Sequence, residues 1–275
     1  LAGRIAATVL RGDGARAPLP AWQTVTLREG DTLQPGPAED GCAYLAVSGG
    51  LALPPAFGSR SSYWRAGLSG VLGRAFVPGD RLPCDTHPDT DPREWRCRAP
   101  WAADEGPVRV MLGPQDDHFP ARALAAFFAQ TWQATPAQDR MGLRLQGEPI
   151  AHTSAAAADI VSDGVTPGVI QVPANGQPIV LLADGQTVGG YPKIATVITA
   201  DLPRLAHLRP GTPVRFQAVT AAEAHAALHA QRIRWQGWLA GREAFLPPGT
   251  VDEAALYGAN LISGMLSTHP EDDRP

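Results

Sequence analysis

The sequence predicts a mainly β protein with a few helices, built from small β-barrel domains. Glycine and proline interrupt regular structure, and 29 Gly and 27 Pro among 275 residues are too many for a helical bundle or a coiled coil. Short apolar runs between turn residues fill positions 1–83. A turn that precedes an outgoing strand, a pattern that suits small closed barrels, recurs at 29–33, 78–82 and 210–214.

The first part of the chain is predicted to form an N-terminal β domain at 1–105. Apolar runs predict strands at 5–10, 24–27 and 44–47. Residues 84–105 combine Asp, Pro, Arg and Trp without periodicity, which indicates an irregular linker. We therefore place the domain boundary at the end of this linker.

The second part is predicted to form a β-barrel domain at 106–250 with a closing helix. A strand is expected at 108–112 and a helix at 120–132, and further strands are expected at 169–172, 179–183 and 194–199. Asn175-Gly176 between two of these strands is a hairpin signal, because both residues tolerate positive φ. The Ala-rich residues 221–245 predict the closing helix, and 251–275 should hold a short helix at 252–265 and an acidic tail from 268.

Composition and charge exclude several classes of partner. The net charge is −4 and the arginines are scattered, so nothing indicates binding to nucleic acid or to an anionic membrane. No apolar run approaches the roughly 18 residues of a transmembrane helix. Three cysteines without paired spacing indicate neither a zinc site nor a disulfide framework. We expect a cytoplasmic protein with small-molecule or protein partners, although a chain that starts at Leu1 leaves a removed signal peptide open.

Common catalytic motifs are absent from the sequence. There is no P-loop, no dinucleotide-binding G-x-G-x-x-G, no G-x-S-x-G elbow and no H-E-x-x-H. His225 and His229 share a helical face, but without an acidic third ligand nearby a solvated face is favoured over a metal site. The acidic turn that contains Gln115 and Asp116 has two open interpretations. It would either cap the following helix or present carboxylates to a ligand.

Several long motifs follow one another in an order typical of one family. They occupy 49–50, 58–62, 65–68, 73–74, 113–117, 140–145, 162–164, 176–179 and 189–195. Over residues 1–230 the sequence resembles the family of the 5-oxoprolinase C subunit, also called allophanate hydrolase subunit 2 or biotin-dependent carboxyltransferase. The family's N-terminal segment, with its TTVQDLGRPG and GVPxGGAxD motifs, is missing. The first barrel is therefore expected to be incomplete, with an exposed edge.

The resemblance implies cyclophilin-like β-barrel domains and a sister subunit of related fold, the B-type subunit of 5-oxoprolinase. With a third, lactam-binding subunit, the pair would open the cyclic amide 5-oxoproline to glutamate at the expense of ATP, bound by this chain or elsewhere in the complex. Two alternatives stay open. One is transfer of a carboxyl group from biotin to urea or another amide. Biotin would be a cofactor only under this alternative. The other is a non-enzymatic role as regulatory partner of the sister subunit.

Lys193, the only lysine among 23 basic residues, lies in the last of the matching blocks. A compact cation beside glycine-exposed backbone amides suits stabilisation of negative charge on oxygen, although a surface lysine at a strand start would look the same. We predict that Lys193, Tyr191 and Asp184 are catalytic. The predicted substrate-binding residues are Gln177, Gln186, Thr187, Gly189, Gly190, Arg60, Arg65, Gln115 and Asp116.

Several of these residues have structural alternatives. Asp184 with Gly185 would also form a simple turn. Arg60 and Arg65 would clamp a carboxylate or phosphate, or would form ion pairs with a partner subunit. Asp163 is a weaker candidate. No Ser-His-Asp set or nucleophilic cysteine is evident, so we do not predict covalent catalysis.

Overall fold

A computed structural model describes residues 1–39, 42–63, 67, 74–85, 93–100 and 106–247. This part of the chain contains fifteen short strands and three α-helices, which confirms the predicted class, mainly β with a few helices. The strands are β1 Ala7–Leu10, β2 Arg16–Leu19, β3 Thr32–Pro35, β4 Glu94–Arg96, β5 Val108–Leu112, β6 Trp132–Gln138, β7 Gly142–Gln146, β8 Asp163–Gly164, β9 Val169–Gln171, β10 Ile179–Leu181, β11 Val188–Gly189, β12 Lys193–Val197, β13 Pro213–Val214, β14 Phe216–Ala218 and β15 Glu243–Phe245. The helices are α1 Ala121–Ala129, α2 Leu202–Ala206 and α3 Ala221–Ala240.

The N-terminal strands form a small antiparallel sheet. β1 lies at its centre and pairs with β2 on one side and β3 on the other. Ala7, Val9 and Leu19 are buried in its core. Buried and half-buried residues alternate along β1, as expected for a strand that packs on one face. The strand predicted at 5–10 is therefore confirmed for its last four residues.

The strand predicted at 24–27 is wrong. These residues run beside β4, where the Thr24 amide donates to the Trp95 carbonyl at 2.8 Å. The Thr26 amide instead donates to the side chain of Glu94 at 2.7 Å. A strand ladder needs successive backbone partners, and this segment exchanges one of them for a carboxylate.

The strand predicted at 44–47 is also wrong. Tyr44 forms a single isolated bridge with Ala2. The side chains of Tyr44, Leu45 and Val47 are exposed, so these apolar residues do not form the packed face of a strand. An apolar run forms a strand only where a neighbour supplies a ladder and a surface to pack against.

An eight-stranded sheet forms the barrel. Its strand order is β13-β6-β7-β10-β9-β12-β5-β14, and every pair is antiparallel except β14 with β5. The two edge strands, β13 and β14, are separated in the chain only by Arg215, so the sheet nearly closes on itself. The barrel core contains Phe127 from α1, stacked on Phe216 with ring centroids 4.9 Å apart.

The predicted helices are shorter than expected at their C-terminal ends. α1 ends at Ala129, because the fully buried Trp132 begins β6 rather than continuing the helix. α3 starts at a capping box formed by Thr220 and Glu223 and ends before Gly241. The residues that follow form β15, which pairs with β4 inside the segment predicted to be irregular. The predicted helix at 252–265 and the tail lie outside the described residues, and the domain boundaries stay predictions.

The hairpin predicted around Asn175-Gly176 is present, since β9 and β10 pair in antiparallel. Its turn differs from the two-residue type, because the loop spans 172–178 and only Gly176 has positive φ, at +70°. A Cβ at Gly176 would lie 2.7 Å from both the amide nitrogen and the carbonyl oxygen of Ile150, so this position also requires close backbone approach. Within the described ranges, no helix combines the length and apolarity needed to cross a bilayer.

Candidate functional site

Lys193 begins β12 with its side chain inside the protein. The ladder between β12 and β9 shifts register between Lys193 and Ala195, and such bulges redirect side chains. Lys193 is 4% exposed, which rules out a surface lysine. Its ammonium group forms an ion pair with the carboxylate of Asp163 and donates to the Gly164 carbonyl at 3.2 Å.

The ion pair is asymmetric, because the Lys193 side chain is 5% exposed and the Asp163 side chain 57%. The hydrogen bond from Lys193, the amide of Gly164 at 2.7 Å and the positive charge of Lys193 lower the pKa of Asp163 from its ordinary value. The buried ammonium group of Lys193 is therefore paired with a carboxylate, that of Asp163, which is exposed to solvent. A charge held in a region of low dielectric acts more strongly on neighbouring groups than the same charge in water.

Lys193→Met should raise the pKa of Asp163 toward about 3.9, the ordinary value of an aspartate. In the wild type the contribution of the pair to the free energy of unfolding is fully present above the unfolded-state pKa and is lost as the pH falls through the lowered native pKa. An NMR titration of the Asp163 carboxyl carbon measures both values. Asp80, whose pKa the hydrogen bond from Arg74 lowers to about 2, serves as internal control. Equal Asp163 values in the two proteins would contradict the pairing.

A two-stranded ribbon brings Asp163 to the glycine pair of the motif. β8 and β11 pair so that Gly189 lies opposite Asp163. A Cβ at Gly189 would lie 2.5 Å from the Nε2 atom of Gln171. Glycine fits this position because any side chain would collide with Gln171. The Gly190 carbonyl accepts the amide of Ile160 at 2.8 Å. Gly189 therefore adjoins the Lys193–Asp163 pair, and the use of Gly189 and Gly190 by a substrate stays a prediction.

The loop after β5 supports Lys193 from the other side. The Oε1 atom of Gln115 accepts the Lys193 amide at 3.3 Å, and Gln115 makes a small contribution to the lowered pKa of Asp163. Asp116 lies in the 3₁₀ turn Asp116–His118. No side chain caps α1, so the interpretation of this acidic turn as a helix cap is wrong. A ligand role for Gln115 and Asp116 stays a prediction.

Gln171 is a site residue that the sequence reasoning missed. It is 1% exposed and pairs across the sheet with Lys193. Its Nε2 donates to the Tyr191 carbonyl at 3.4 Å, and its Oε1 accepts from the side chain of Gln186 at 3.4 Å. A lone polar residue inside the apolar run 169–172 was the signal that could have identified it, since buried amides need partners.

Asp184 forms its ion pair with Arg140 rather than with Lys193. The guanidinium of Arg140 donates to both of its oxygens, at 2.6 and 2.9 Å. The hydrogen bonds from Arg140 lower the pKa of Asp184. Asp184, Gln186 and Thr187 line a cavity of about 490 Å³. Tyr191 is 41% exposed and contributes its carbonyl to the Gln171 contact.

The remaining predicted residues make local contacts. Gln177 accepts the Gly147 amide at 3.0 Å and donates to the Gly147 carbonyl at 2.9 Å, so both ends of its amide hold one residue of the β7 loop. Arg60 donates to the Leu51 carbonyl at 3.0 Å and pairs with Asp85 at 3.2 Å. Arg65 lies outside the described residues.

Comparison with known families identifies the family to which this chain belongs. Residues 2–218 match the family described as "Carboxyltransferase domain, subdomain A and B", and this range contains the Lys193–Asp163 pair and its neighbours. The chain belongs to the carboxyltransferase domain family. This confirms the resemblance inferred from the motifs.

Two bacterial relatives within this family are described as the C subunit of 5-oxoprolinase. The chain is 38% identical to the protein of Escherichia coli (strain K12) over 212 residues, which cover 77% of this chain and 64% of the relative. It is 36% identical to that of Haemophilus influenzae over 208 residues, covering 75% of this chain and 66% of the relative. The chain is therefore homologous to the 5-oxoprolinase C subunit and spans about two thirds of the length of these relatives.

Two solved structures share the fold of this chain. The Kluyveromyces lactis urea amidolyase superposes with a TM-score of 0.72 at 23% identity, covering 86% of this chain and 15% of that protein. The protein TTHA0988 superposes with a TM-score of 0.60 at 29% identity, covering 78% of this chain and 42% of that one.

Proposed function

We propose that this chain acts as one member of a cytoplasmic, ATP-dependent 5-oxoprolinase. The complex would convert 5-oxoproline, ATP and water to glutamate, ADP and phosphate. Its other members would be a B-type sister subunit and a lactam-binding subunit. The observation that carries the proposal is the 38% identity to the 5-oxoprolinase C subunit of E. coli. The yeast urea amidolyase is 24% identical over 226 residues, so urea carboxyl transfer is the weaker candidate.

Lys193 would stabilise the charge that develops when the ring amide opens. Attack by water on an amide carbonyl moves negative charge onto the carbonyl oxygen, and a fixed cation lowers the energy of that state. An ammonium group has three N–H donors. Asp163 and Gly164 account for two of them, which leaves the third for a substrate oxygen.

Asp163 would position the ammonium group rather than react. One of its oxygens accepts from Lys193 and the other accepts the Gly164 amide at 2.7 Å, so the carboxylate is held from both sides. The hydrogen bond from Lys193 lowers the pKa of Asp163, and the ionised carboxylate would hold the ammonium group in place. ATP is a co-substrate in this proposal, and we assign it no residues of this chain.

Reconstitution tests the proposed function. The chain is mixed with its sister and lactam-binding subunits, and ATP hydrolysis is measured with and without 5-oxoproline. We expect hydrolysis that depends on 5-oxoproline and is lost when any one subunit is omitted. No activity in the complete mixture would refute the proposal. Tight pairing without turnover would favour a regulatory binding role, and turnover only with urea, a biotin carboxylase and a biotin carrier would favour carboxyl transfer.

A further inference from the structure

The cavity of about 490 Å³ lies between two loops that come from different parts of the chain. One loop is the serine-rich segment 58–62 with its neighbours, and the other is 184–187. This volume falls in the range of about 300–1,000 Å³ typical of small-molecule sites. The polar groups of its wall are the hydroxyls of Ser59, Ser61, Ser62, Tyr63 and Thr187 and the amide of Gln186.

The cavity wall is rich in neutral hydrogen-bond donors. A hydroxyl donates one hydrogen bond and an amide nitrogen two. The Tyr63 hydroxyl donates to the Met141 sulfur at 3.7 Å, and one hydrogen of the Gln186 amide goes to Gln171. The donors that the wall can offer an anionic oxygen are the hydroxyls of Ser59, Ser61, Ser62 and Thr187 and the second hydrogen of Gln186. The one acidic group described there, Asp184, has its charge compensated by the two hydrogen bonds from Arg140. Hydrogen bonds from neutral donors to an ionised acceptor are stronger than those to a neutral one.

The β8–β11 ribbon connects the cavity with Lys193. The Thr187 carbonyl accepts the Val165 amide at 3.0 Å, and Gly189, two residues later, lies opposite Asp163. Two residues of a strand span about 7 Å. The cavity wall at Thr187 is therefore two residues along the ribbon from Gly189, which pairs with Asp163.

Gln171 holds the two ends of this path in fixed relation. Its side chain is bonded to the side chain of Gln186 in the cavity wall and to the carbonyl of Tyr191 in the Lys193 motif. Gln171 is also the cross-strand partner of Lys193. The cavity and the buried ammonium group are thus linked through one fully buried amide.

We propose that this cavity binds the carboxylate of a small carboxylate-bearing amide, while the amide carbonyl faces Lys193. This inference rests on the proposed function and adds how the substrate is selected. Urea and simple lactams lack the carboxylate and would leave the hydroxyls of the cavity without that partner. The cavity is then the element that distinguishes 5-oxoproline from other amides.

The test removes hydroxyls from the cavity without altering its shape. Ser62→Ala with Thr187→Val is compared with wild type in the reconstituted complex. The KM for the lactam substrate is measured, together with the inhibition constant for 2-pyrrolidinone, the same lactam without a carboxylate. We expect the KM to rise about 10-fold or more, because hydrogen bonds to a charged group contribute more than those between neutral groups. Inhibition by 2-pyrrolidinone should stay unchanged. Ser62→Phe, which fills the cavity, should raise the KM as well.

Thr166→Val is the matched control, because it removes an exposed hydroxyl that does not line the cavity. An unchanged KM in the double variant and in Ser62→Phe would overturn the inference. So would equal weakening of both ligands, which indicates general disruption. These results require an active wild-type complex, whereas an inactive wild-type complex would refute the proposed function and this inference with it.

Discussion

Lys193→Met is expected to lower the turnover rate of ATP hydrolysis in the presence of 5-oxoproline by about 10²–10³-fold, the usual effect of removing one group that stabilises a developing oxyanion. Methionine is unbranched and adapts to irregular apolar space, so it can replace the buried stem of the lysine. The Asp163 carboxylate left behind is 57% exposed and stays hydrated. We therefore expect the fold to persist and the loss to appear in turnover.

Lys193→Arg separates the role of charge from that of shape. Arginine keeps the positive charge but carries a planar fork that does not fit the space of a compact ammonium group. We expect it to lose activity as well. Steady-state rates of the reconstituted complex, with the melting temperature of each variant as a folding check, measure both effects. Wild-type rates in both variants would remove Lys193 from the catalytic machinery.

Gly113→Ala should destabilise the protein by about 3 kcal/mol, at the upper end of the usual cost of overpacking. A Cβ at this position would lie 2.0 Å from the Lys193 carbonyl oxygen and 2.7 Å from the Lys193 carbonyl carbon. Both are backbone atoms, so no side chain can rotate away. The loop after β5 would have to separate from β12 at Lys193. For a chain of this size we expect the melting temperature to fall by roughly 6–12 °C.

Gly237→Ala is the matched control for Gly113→Ala, because it adds the same methyl group at a position where the added Cβ has no close neighbour. Gly237 lies inside α3, and a Cβ there would meet no atom within 4 Å. Alanine in a helix interior is more stable than glycine by about 0.5–1 kcal/mol, so this variant should melt at or above the wild-type temperature. Thermal unfolding of the two variants checks both expectations. Equal melting temperatures would show that the contact at Gly113 relaxes without cost.

Much of the fold could be predicted because strands and helices leave local patterns. The apolar run at 108–112 became β5, and the two runs on either side of Asn175-Gly176 became β9 and β10. The errors came from contacts that no local pattern contains. Residues 24–27 have the composition of a strand, but the Thr26 amide donates to the buried side chain of Glu94 instead of to a backbone carbonyl.

The candidate site was predictable in part for the same reason. Lys193 stood out because it is the only lysine. Its partner Asp163 lies thirty residues earlier, and only the pairing of β8 with β11 and the bulge in β12 bring the two together. Asp184 was grouped with Lys193 by closeness in sequence, yet its carboxylate faces Arg140. Sequence neighbours share a loop, whereas the fold decides which side chains share a site.

The strand order of the barrel sheet has a consequence for how the chain is made. Val108 pairs with Phe216 where β5 meets the edge strand β14, although these residues lie at opposite ends of the barrel sequence. On the ribosome β5 emerges early, and its two neighbours, β12 and β14, are translated only when most of the barrel has been made. Contacts so distant in sequence form slowly, because the chain must first lose the entropy of a long loop. The edge of β5 is therefore the surface for a chaperone to protect during translation.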